Sequence, residues 1–198
     1  MKKFFKIVFI TIAVIVAGWI VLTIIVERTG PKRSWTFGDQ HAAIKAVVVY
    51  DPDPFFNLDE QVCRSFAQIL GENGIQTQVL SVAAASEIQF GSYDMYVLCA
   101  NTYNWGPDLA LSNFIKEQTS LDNKPVVAIT LGAGSTTLSQ QRLEQLIIDK
   151  GGKIIGSQSV WLLRPNDDAR TKESNVQVAI SNIRAWAGSL AGDLRNIK

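Results

Sequence analysis

Histidine and cysteine, which commonly ligate metals and take part in catalysis, are scarce in this chain of 198 residues. It contains one histidine and two cysteines. Cys63 falls in a helical pattern and Cys99 in a strand pattern, and their separation matches no metal-ligand spacing. We therefore expect two buried free thiols. His41 lies in a polar, aperiodic segment, where a solvated position is favoured over a catalytic role.

An excess of charge of either sign is also missing. The chain has 19 Lys and Arg residues against 18 Asp and Glu residues, which gives a net charge of +1. Such a balance provides no overall field that attracts a polyanion, so we expect no nucleic-acid partner. Hydrophobic residues make up 47% of the chain and charged residues 19%, and these proportions exclude a disordered or fibrous protein.

Charge is absent altogether from one long apolar run. Residues 7–26, IVFITIAVIVAGWIVLTIIV, follow a basic N-terminus, residues 1–6, that carries three lysines. This run is long enough to cross a bilayer as a helix. A cleavable signal peptide has a shorter apolar region that ends in a small-residue site, which favours a retained single-pass membrane anchor over that alternative. Basic residues are nearly balanced across the run, so the side of the membrane that holds the rest of the chain stays open.

The remainder of the chain divides into a linker and one domain. Residues 27–45 are polar, contain two glycines and a proline, and are predicted to be a juxtamembrane linker. From residue 46 onward, short apolar runs rich in β-branched residues predict five strands, at 46–50, 77–82, 95–100, 126–131 and 153–163. Helical patterns are predicted at 58–74, 109–118, 138–152 and 174–192, with at most a short helical turn in 83–90.

Alternation of strands and helices predicts a doubly wound α/β domain over residues 46–198, with a parallel sheet covered on both faces. Sheets of this kind bind ligands in the crevice beyond the carboxyl ends of their strands. The candidate ligand-binding segments are therefore the loops at 51–57, 101–107 and 132–136.

The loop at 101–107, NTYNWGP, brings two aromatic residues together with a glycine and a proline at a strand end. Flat apolar rings beside exposed backbone polar groups suit a planar heterocycle with polar edges. In the loop at 132–136, two glycines precede a helix, so a ligand could approach the backbone closely and meet free N–H groups. A glycine-rich turn without any ligand is an equal alternative for this third loop.

Two stretches of the chain resemble flavodoxin-like proteins and FMN-dependent reductases. The segment GSYDMYVLCANTYNWGPDLALSNFIKE, residues 91–117, is similar to the part of that family in which a strand runs into a loop with threonine, tyrosine, glycine and proline. The segment KPVVAITLGAGSTTLSQQRLEQLIIDKGGKIIGSQSV, residues 124–160, is similar to the next strand–loop–helix–strand unit. The resemblance covers roughly Ala46 to Leu190.

This resemblance implies a flavodoxin-like five-stranded parallel sheet with strand order 2-1-3-4-5, preceded here by one transmembrane helix, and an FMN cofactor at the carboxyl edge. It implies that the flavin ring is lined by Thr102, Tyr103, Asn104, Trp105 and Gly106. Its other edge would face Gly132, Ala133 and Gly134. In the first loop, Asn57 matches an asparagine of the family, and Phe55 is expected to cover the ligand or to fill the place of the phosphate.

The first loop departs from the family in the residues that it lacks. Residues 51–57, DPDPFFN, contain no glycine, lysine or arginine, whereas the family binds the FMN phosphate here through hydroxyl groups and backbone amides. Carboxylates at Asp51 and Asp53 would repel a dianion, and the two prolines provide no N–H donors. An ordinary phosphate-binding loop is therefore not expected. The run from Asn57 to Glu60 is interpreted instead as a capping box at the start of the following helix.

The leading functional hypothesis is a membrane-anchored FMN protein that transfers electrons to a redox partner protein or a quinone. The alternative is a flavodoxin-like binding or scaffold module that has lost FMN. A D-x-D phosphohydrolase with Asp51 as nucleophile and Asp53 as acid/base is less favoured, because the acidic pair that it needs later, at 167–168, lies in a polar loop. A phosphorelay receiver domain is disfavoured because no aspartate ends the third strand.

Overall fold

A computed structural model describes residues 2–88, 90–117 and 121–196. The strands are β1 (Ser34–Phe37), β2 (Ile44–Tyr50), β3 (Ile75–Ser81), β4 (Met95–Tyr103), β5 (Gly106–Pro107), β6 (Pro125–Gly132) and β7 (Lys153–Trp161). The α-helices are α1 (Lys2–Val26), α2 (Leu58–Glu72), α3 (Val82–Ala85), α4 (Leu109–Glu117), α5 (Thr137–Asp149) and α6 (Asn175–Asn196). Gln118 of a predicted helix, Gln89 of the predicted helical turn and the last two residues of the predicted domain lie outside the described residues.

Five parallel strands form the centre of the sheet. They lie side by side in the order β3-β2-β4-β6-β7, which is the 2-1-3-4-5 order expected from the resemblance. Consecutive valines of β2, from Val47 to Val49, are fully buried although they point alternately to opposite faces. Burial on both faces is typical of a parallel sheet between two helical layers, so the predicted flavodoxin-like α/β fold class is confirmed.

Each face of the sheet is covered by its own helices. On one face, α2 and α6 pack on the sheet, and Phe66 contacts Trp186 edge-on with their ring centroids 5.7 Å apart. On the other face lie α3, α4 and α5. Cys63 and Cys99 are buried in the first of these cores as free thiols, as the sequence predicted.

The segment predicted as a linker, residues 27–45, contributes a strand to the sheet. β1 pairs antiparallel with β3 at the sheet edge, from the Ser34 and Leu80 pair to the Phe37 and Thr77 pair. Just before β1, the N–H of Arg33 donates to the Ser81 hydroxyl over 3.0 Å. This corrects the linker prediction, because the segment between the apolar helix and β2 is fixed to the domain along much of its length.

The segment predicted as the second loop, residues 101–107, is largely a hairpin. β4 continues to Tyr103, three residues beyond its predicted end, and pairs back onto β5. Asn104 and Trp105 form the turn with φ angles of 48° and 58°. Two successive positive φ values match the right-handed twist of a two-residue hairpin turn, although the second is unusual for tryptophan.

The apolar N-terminal run forms one continuous helix, α1. Residues Lys3–Val26 have a mean hydropathy of 2.8 over an 18-residue window, and none of that window is buried in the protein. A helix that is apolar on all sides, and that its own chain leaves uncovered except in its last turns, has the composition of a membrane-spanning segment. By length and composition α1 is able to cross a membrane.

Candidate functional site

A cavity of about 490 Å³ opens at the carboxyl edge of the parallel sheet. Three of its walls are the segments that the sequence selected, namely the first loop, the β4–β5 hairpin and the loop after β6. The fourth wall is the last part of α1, through Trp19, Leu22, Thr23 and Val26. These four positions recur at helical spacing, so one face of the apolar helix closes the cavity.

The first loop bends around the side chain of Asp53. Its Oδ1 accepts the backbone N–H groups of Phe55 at 2.7 Å and Phe56 at 2.8 Å. Its Oδ2 accepts the hydroxyl of Tyr103 at 2.6 Å. Aspartate commonly fixes tight turns by accepting nearby backbone N–H groups in this way. The carboxylate of Asp53 therefore holds the loop donors that could otherwise face a ligand.

The carboxylate of Asp59 accepts hydrogen bonds from backbone N–H groups of the first loop and of the start of α2. This side chain is 2% exposed, and its Oδ2 accepts the N–H of Asp53 at 2.6 Å while its Oδ1 accepts the N–H of Glu60 at 2.7 Å. Asn57 makes no side-chain capping bond within the described structure, and its Oδ1 instead accepts Gln61 Nε2 at 2.6 Å. The predicted capping box is thus wrong, because the N–H of Glu60, which the Asn57 side chain would have bound, donates to Asp59 instead.

These contacts determine how well the first loop fits the phosphate of FMN. The N–H groups of Asp53, Phe55 and Phe56 already donate to carboxylates of the protein, and Pro52 and Pro54 have no N–H. A phosphate dianion would meet the negative charge of Asp53 at the place where the family offers donors. The donor set of this loop therefore does not fit a bound phosphate.

Two buried acids, Asp51 and Asp108, lie behind the cavity lining and are hydrogen-bonded to its residue Asn101. Asp51 is 3% exposed and accepts the N–H of Gly30 at 2.9 Å, while Asp108 is 1% exposed and accepts the N–H groups of Asn101 and Leu111. Burial raises the pKa of Asp51 to about 6, against the effect of the Gly30 hydrogen bond. Burial likewise raises the pKa of Asp108 to about 8. Burial at these two positions thus disfavours the charged form of each carboxyl.

Asn101 connects the acids to one another. Its side-chain Nδ2 donates to the carbonyl oxygen of Asp51 at 2.8 Å and to Oδ2 of Asp59 at 3.3 Å. Its backbone N–H donates to Asp108, and its carbonyl oxygen accepts the N–H of Asp108 at 2.9 Å. One buried amide at the end of β4 therefore ties the first loop, α2 and the start of α4 into a single network.

The β4–β5 hairpin supplies an aromatic wall. Trp105 is 58% exposed, and its carbonyl oxygen accepts Nη1 of Arg142 at 3.4 Å. Burial, followed by the hydrogen bond to Asp53, raises the pKa of Tyr103. Asn104 Nδ2 donates to the Thr23 hydroxyl of α1 at 3.3 Å. Backbone strain at an exposed tryptophan beside a cavity is a feature often found at binding sites.

The loop after β6 is shaped mainly by contacts within the protein. A Cβ atom at Gly132 would lie 2.8 Å from Cγ2 of Thr136 and 3.1 Å from Cβ of Thr102. A Cβ atom at Gly134 would lie 3.2 Å from Cβ of Arg164. The carbonyl oxygen of Ala133 accepts the N–H groups of residues 163 and 164. All three residues line the cavity, and the close packing at Gly132 and Gly134 already favours glycine there without a ligand.

The alternative of a D-x-D phosphohydrolase gains no support from the geometry. The carboxylate of Asp51 accepts from Gly30, whereas that of Asp53 is bound to its own loop and to Tyr103, so the two do not converge on one point. Asp167 accepts the N–H of Ala169 and caps a short 3₁₀ turn. Over the described ranges 2–88, 90–117 and 121–196, no group of three or more His, Cys, Asp or Glu residues could hold a metal.

Most of the site residues predicted from the sequence line the cavity, but two of them do not. The structure brings Phe55, Gly132, Ala133, Gly134 and four of the five hairpin residues, 102–105, to the cavity lining. Gly106 lies just beyond, close to Arg142, and Asn57 bonds to Gln61 outside the lining. Sequence reasoning assigned no role to Asn101, although it fell in the candidate loop at 101–107, and it missed Asp59 and the α1 face. A polar residue inside an apolar strand could have indicated Asn101, whereas nothing in the sequence placed α1 beside the loops.

A parallel five-stranded sheet in the order found here, with a cavity at its carboxyl edge, defines the flavodoxin-like fold. Neither a protein-family model nor a curated protein matches this chain. Among solved structures, it is similar to a flavodoxin from Pseudomonas aeruginosa, with a TM-score of 0.60 and 17% identity over 77% of this chain and 99% of that one. It is also similar to a flavodoxin, WrbA-like protein from Agrobacterium tumefaciens, with a TM-score of 0.59 and 14% identity over 79% and 100% of the two chains. A flavodoxin from the domain Archaea matches with a TM-score of 0.56 and 12% identity, over 77% and 99%.

Proposed function

We propose that this chain is a membrane-anchored flavodoxin-like binding module whose cavity accepts a planar, uncharged and largely apolar ring without a bound phosphate. The observation that carries this proposal is the capture of the first loop's donors by Asp53 and Asp59. A ligand with a phosphate group would have to displace these carboxylates or accept their repulsion. A ligand without one meets no such cost.

The walls of the cavity suit the ring of such a ligand. Trp105, Phe55 and Phe56 expose more than half of their side chains beside it, and Leu22 and Val26 of α1 line it from the other side. Binding sites for small molecules are commonly apolar clefts with a small number of polar groups that fix orientation. Here the polar groups near the rings are the Tyr103 hydroxyl and the Asn104 side chain, both held by hydrogen bonds.

Binding of matched ring probes tests the proposal. The full chain in detergent micelles is dialysed against riboflavin, FMN and menadione, an uncharged quinone. Riboflavin and FMN share one ring system and differ by the phosphate. We expect the uncharged probes to bind and FMN to bind more weakly than riboflavin. Tighter binding of FMN than of riboflavin, or binding of none of the three, would refute the proposal.

A second candidate function is an FMN-dependent electron carrier in which the phosphate points out of the first loop. The fold and the position of the aromatic hairpin favour it, because the resemblance assigns the flavin ring to that hairpin. Bound FMN would supply the redox chemistry, and Trp105 and Tyr103 would position its ring. Electrons would then pass to a redox partner protein or to a quinone in the membrane.

The visible spectrum of the purified full chain distinguishes the two candidates. A retained flavin gives two absorption bands, and the electron carrier is favoured if these bands appear in stoichiometric amount and the released flavin is FMN, since riboflavin gives the same bands. If both bands are missing and do not appear after addition of FMN, the electron-carrier candidate is rejected. The Trp105→Ala variant provides the control, since it removes the largest exposed ring of the hairpin without altering Asp53.

A further inference from the structure

Exposed apolar side chains of the domain are concentrated at one end. Within the described residues that follow α1, eight large hydrophobic side chains are exposed. Six of them lie at the carboxyl edge of the sheet, in or next to the segments that form the cavity. We call these six residues the carboxyl-edge patch: Phe55, Phe56, Trp105, Leu109, Leu138 and Leu163. Single exposed apolar residues are common on any surface, whereas a cluster of them marks a site of interaction.

The apolar helix ends beside this same patch. Thr23 near the end of α1 accepts a hydrogen bond from Asn104, next to Trp105. Glu27, one residue beyond the helix, accepts the N–H of Leu109 at 2.7 Å. A Cβ atom at Gly30 would lie 2.8 Å from Cδ of Pro52 in the first loop, so the chain leaves the helix in close contact with the domain. These contacts fix the patch next to the end of α1.

Helix length places that end at the boundary of a bilayer. The 24 residues from Lys3 to Val26 span about 36 Å, while the hydrocarbon core is about 30 Å thick. The α1 face that lines the cavity, from Trp19 to Val26, occupies about 10 Å along the helix axis. A domain attached to that face cannot stand clear of the membrane, because its cavity overlaps the final turns of the span.

We propose that the carboxyl-edge patch inserts into the headgroup region of the bilayer that α1 spans, so that the cavity opens toward lipid. Aromatic rings such as Trp105 are favoured at this depth, where the apolar body is buried and a polar group remains hydrated. Arg164, beside Leu163, lies with its guanidinium 4.5 Å from the centre of the Trp161 ring and adds a positive charge next to the patch, which suits anionic headgroups. The inference rests on the proposed membrane anchor, and it adds that the ligand enters the cavity from the membrane.

Site-directed spin labels on the full chain test this placement. The chain is reconstituted in nanodiscs of phosphatidylcholine and phosphatidylglycerol, and a nitroxide is attached to single cysteines introduced by Phe56→Cys, Leu163→Cys or Ile148→Cys. Phe56 and Ile148 are matched, since both side chains are 55% exposed, but Ile148 lies outside the patch at the end of α5. The two native thiols are buried, so the unaltered chain gives the background labelling.

Collision with oxygen, which concentrates in lipid, is compared with collision with a water-soluble nickel chelate. We expect the oxygen-to-nickel ratio to be several-fold higher for the labels at 56 and 163 than for the label at 148. Equal ratios at all three positions would overturn the inference. A fourth label, introduced by Val14→Cys in the middle of α1, distinguishes failure of the insertion from failure of the anchor. A high ratio at 14 with low ratios at 56 and 163 refutes only the insertion. Low ratios at all four positions refute the anchor as well.

Discussion

The hydroxyl of Tyr103 donates a 2.6 Å hydrogen bond to the carboxylate of Asp53, and this contact joins two of the four walls of the cavity. Tyr103 lies at the end of β4, and Asp53 organises the first loop through Phe55 and Phe56. Removal of the contact should therefore affect both stability and the shape of the site.

The Tyr103→Phe substitution is expected to lower the free energy of unfolding by about 1–2 kcal/mol, since it leaves a carboxylate oxygen without its donor. Thermal unfolding in detergent measures this change, and ring-probe binding should weaken in parallel. Tyr93→Phe is the matched control, because it removes a hydroxyl that donates to Gln78 away from the cavity. If both variants lose stability but bind the probes equally well, Tyr103 does not position the first loop for binding.

The Asp53→Ser substitution is expected to make the first loop better able to bind a phosphate group. It removes a negative charge and releases the N–H groups of Phe55 and Phe56. A unit charge at 4 Å is worth about 1 kcal/mol or more, so the affinity for FMN relative to riboflavin should rise about fivefold or more. Equilibrium dialysis with both flavins measures this ratio. Asp193→Ser changes the same charge at an exposed position of α6 and should leave the ratio unchanged.

The Asp51→Asn substitution is expected to change how stability depends on pH. The pKa of this carboxyl is raised from 3.8 to about 6 by burial, so the folded chain binds its proton more tightly than the unfolded chain. Its contribution to stability is therefore complete below about pH 4 and declines as pH rises to about 6. Asparagine keeps an oxygen for Gly30 and cannot ionise.

Unfolding of this variant and of the unaltered chain should be compared from pH 4 to pH 8. The stability of Asp51→Asn relative to the unaltered chain should increase by about 2 kcal/mol between pH 4 and pH 6. Asp193→Asn, on the exposed side of α6, should show no such increase. Parallel curves for Asp51→Asn and the unaltered chain would mean that Asp51 is ionised at no cost in the folded protein.

The Gly132→Ala substitution is expected to destabilise the protein by about 1–3 kcal/mol, because the added methyl group meets Thr136 and Thr102 at less than ordinary contact distance. Gly188→Ala is the matched control. Gly188 lies within α6, where a Cβ atom would be 3.8 Å from Cγ2 of Ile69, and alanine there should stabilise the helix by about 0.5–1 kcal/mol. Equal melting temperatures for the two variants would show that the close packing around Gly132 is relaxed at little cost.

The sequence predicted the central sheet well, because each of its strands is a short apolar run rich in β-branched residues. The consecutive valines of β2 and the alternation of strands with helices predict a parallel, doubly wound sheet from local patterns alone. β1 escaped notice because four residues on a sheet edge show too short a pattern to identify. The hairpin escaped notice because Trp105 adopts a left-handed conformation that tryptophan rarely takes, whereas glycine would have indicated the turn.

The site was predicted in part for similar reasons. Repulsion of a phosphate by Asp51 and Asp53 was predicted from the positions of these two aspartates in the first loop. The capture of backbone donors by Asp53 and Asp59 depends on the exact path of the loop, which no local pattern specifies. The network around Asn101 joins segments about 50 residues apart in the chain, as the bond from its amide to Asp51 shows. Contacts of that range are properties of the assembled fold.

Because one face of α1 closes the cavity, the proposed anchor is more than a tether. A tether only limits how far a domain can move from a membrane, and it can be cut without changing what the domain recognises. Here Leu22, Thr23 and Val26 line the cavity itself. A soluble fragment that begins after the helix would have a cavity with one side removed, and under the proposed binding function its selectivity would differ from that of the full chain.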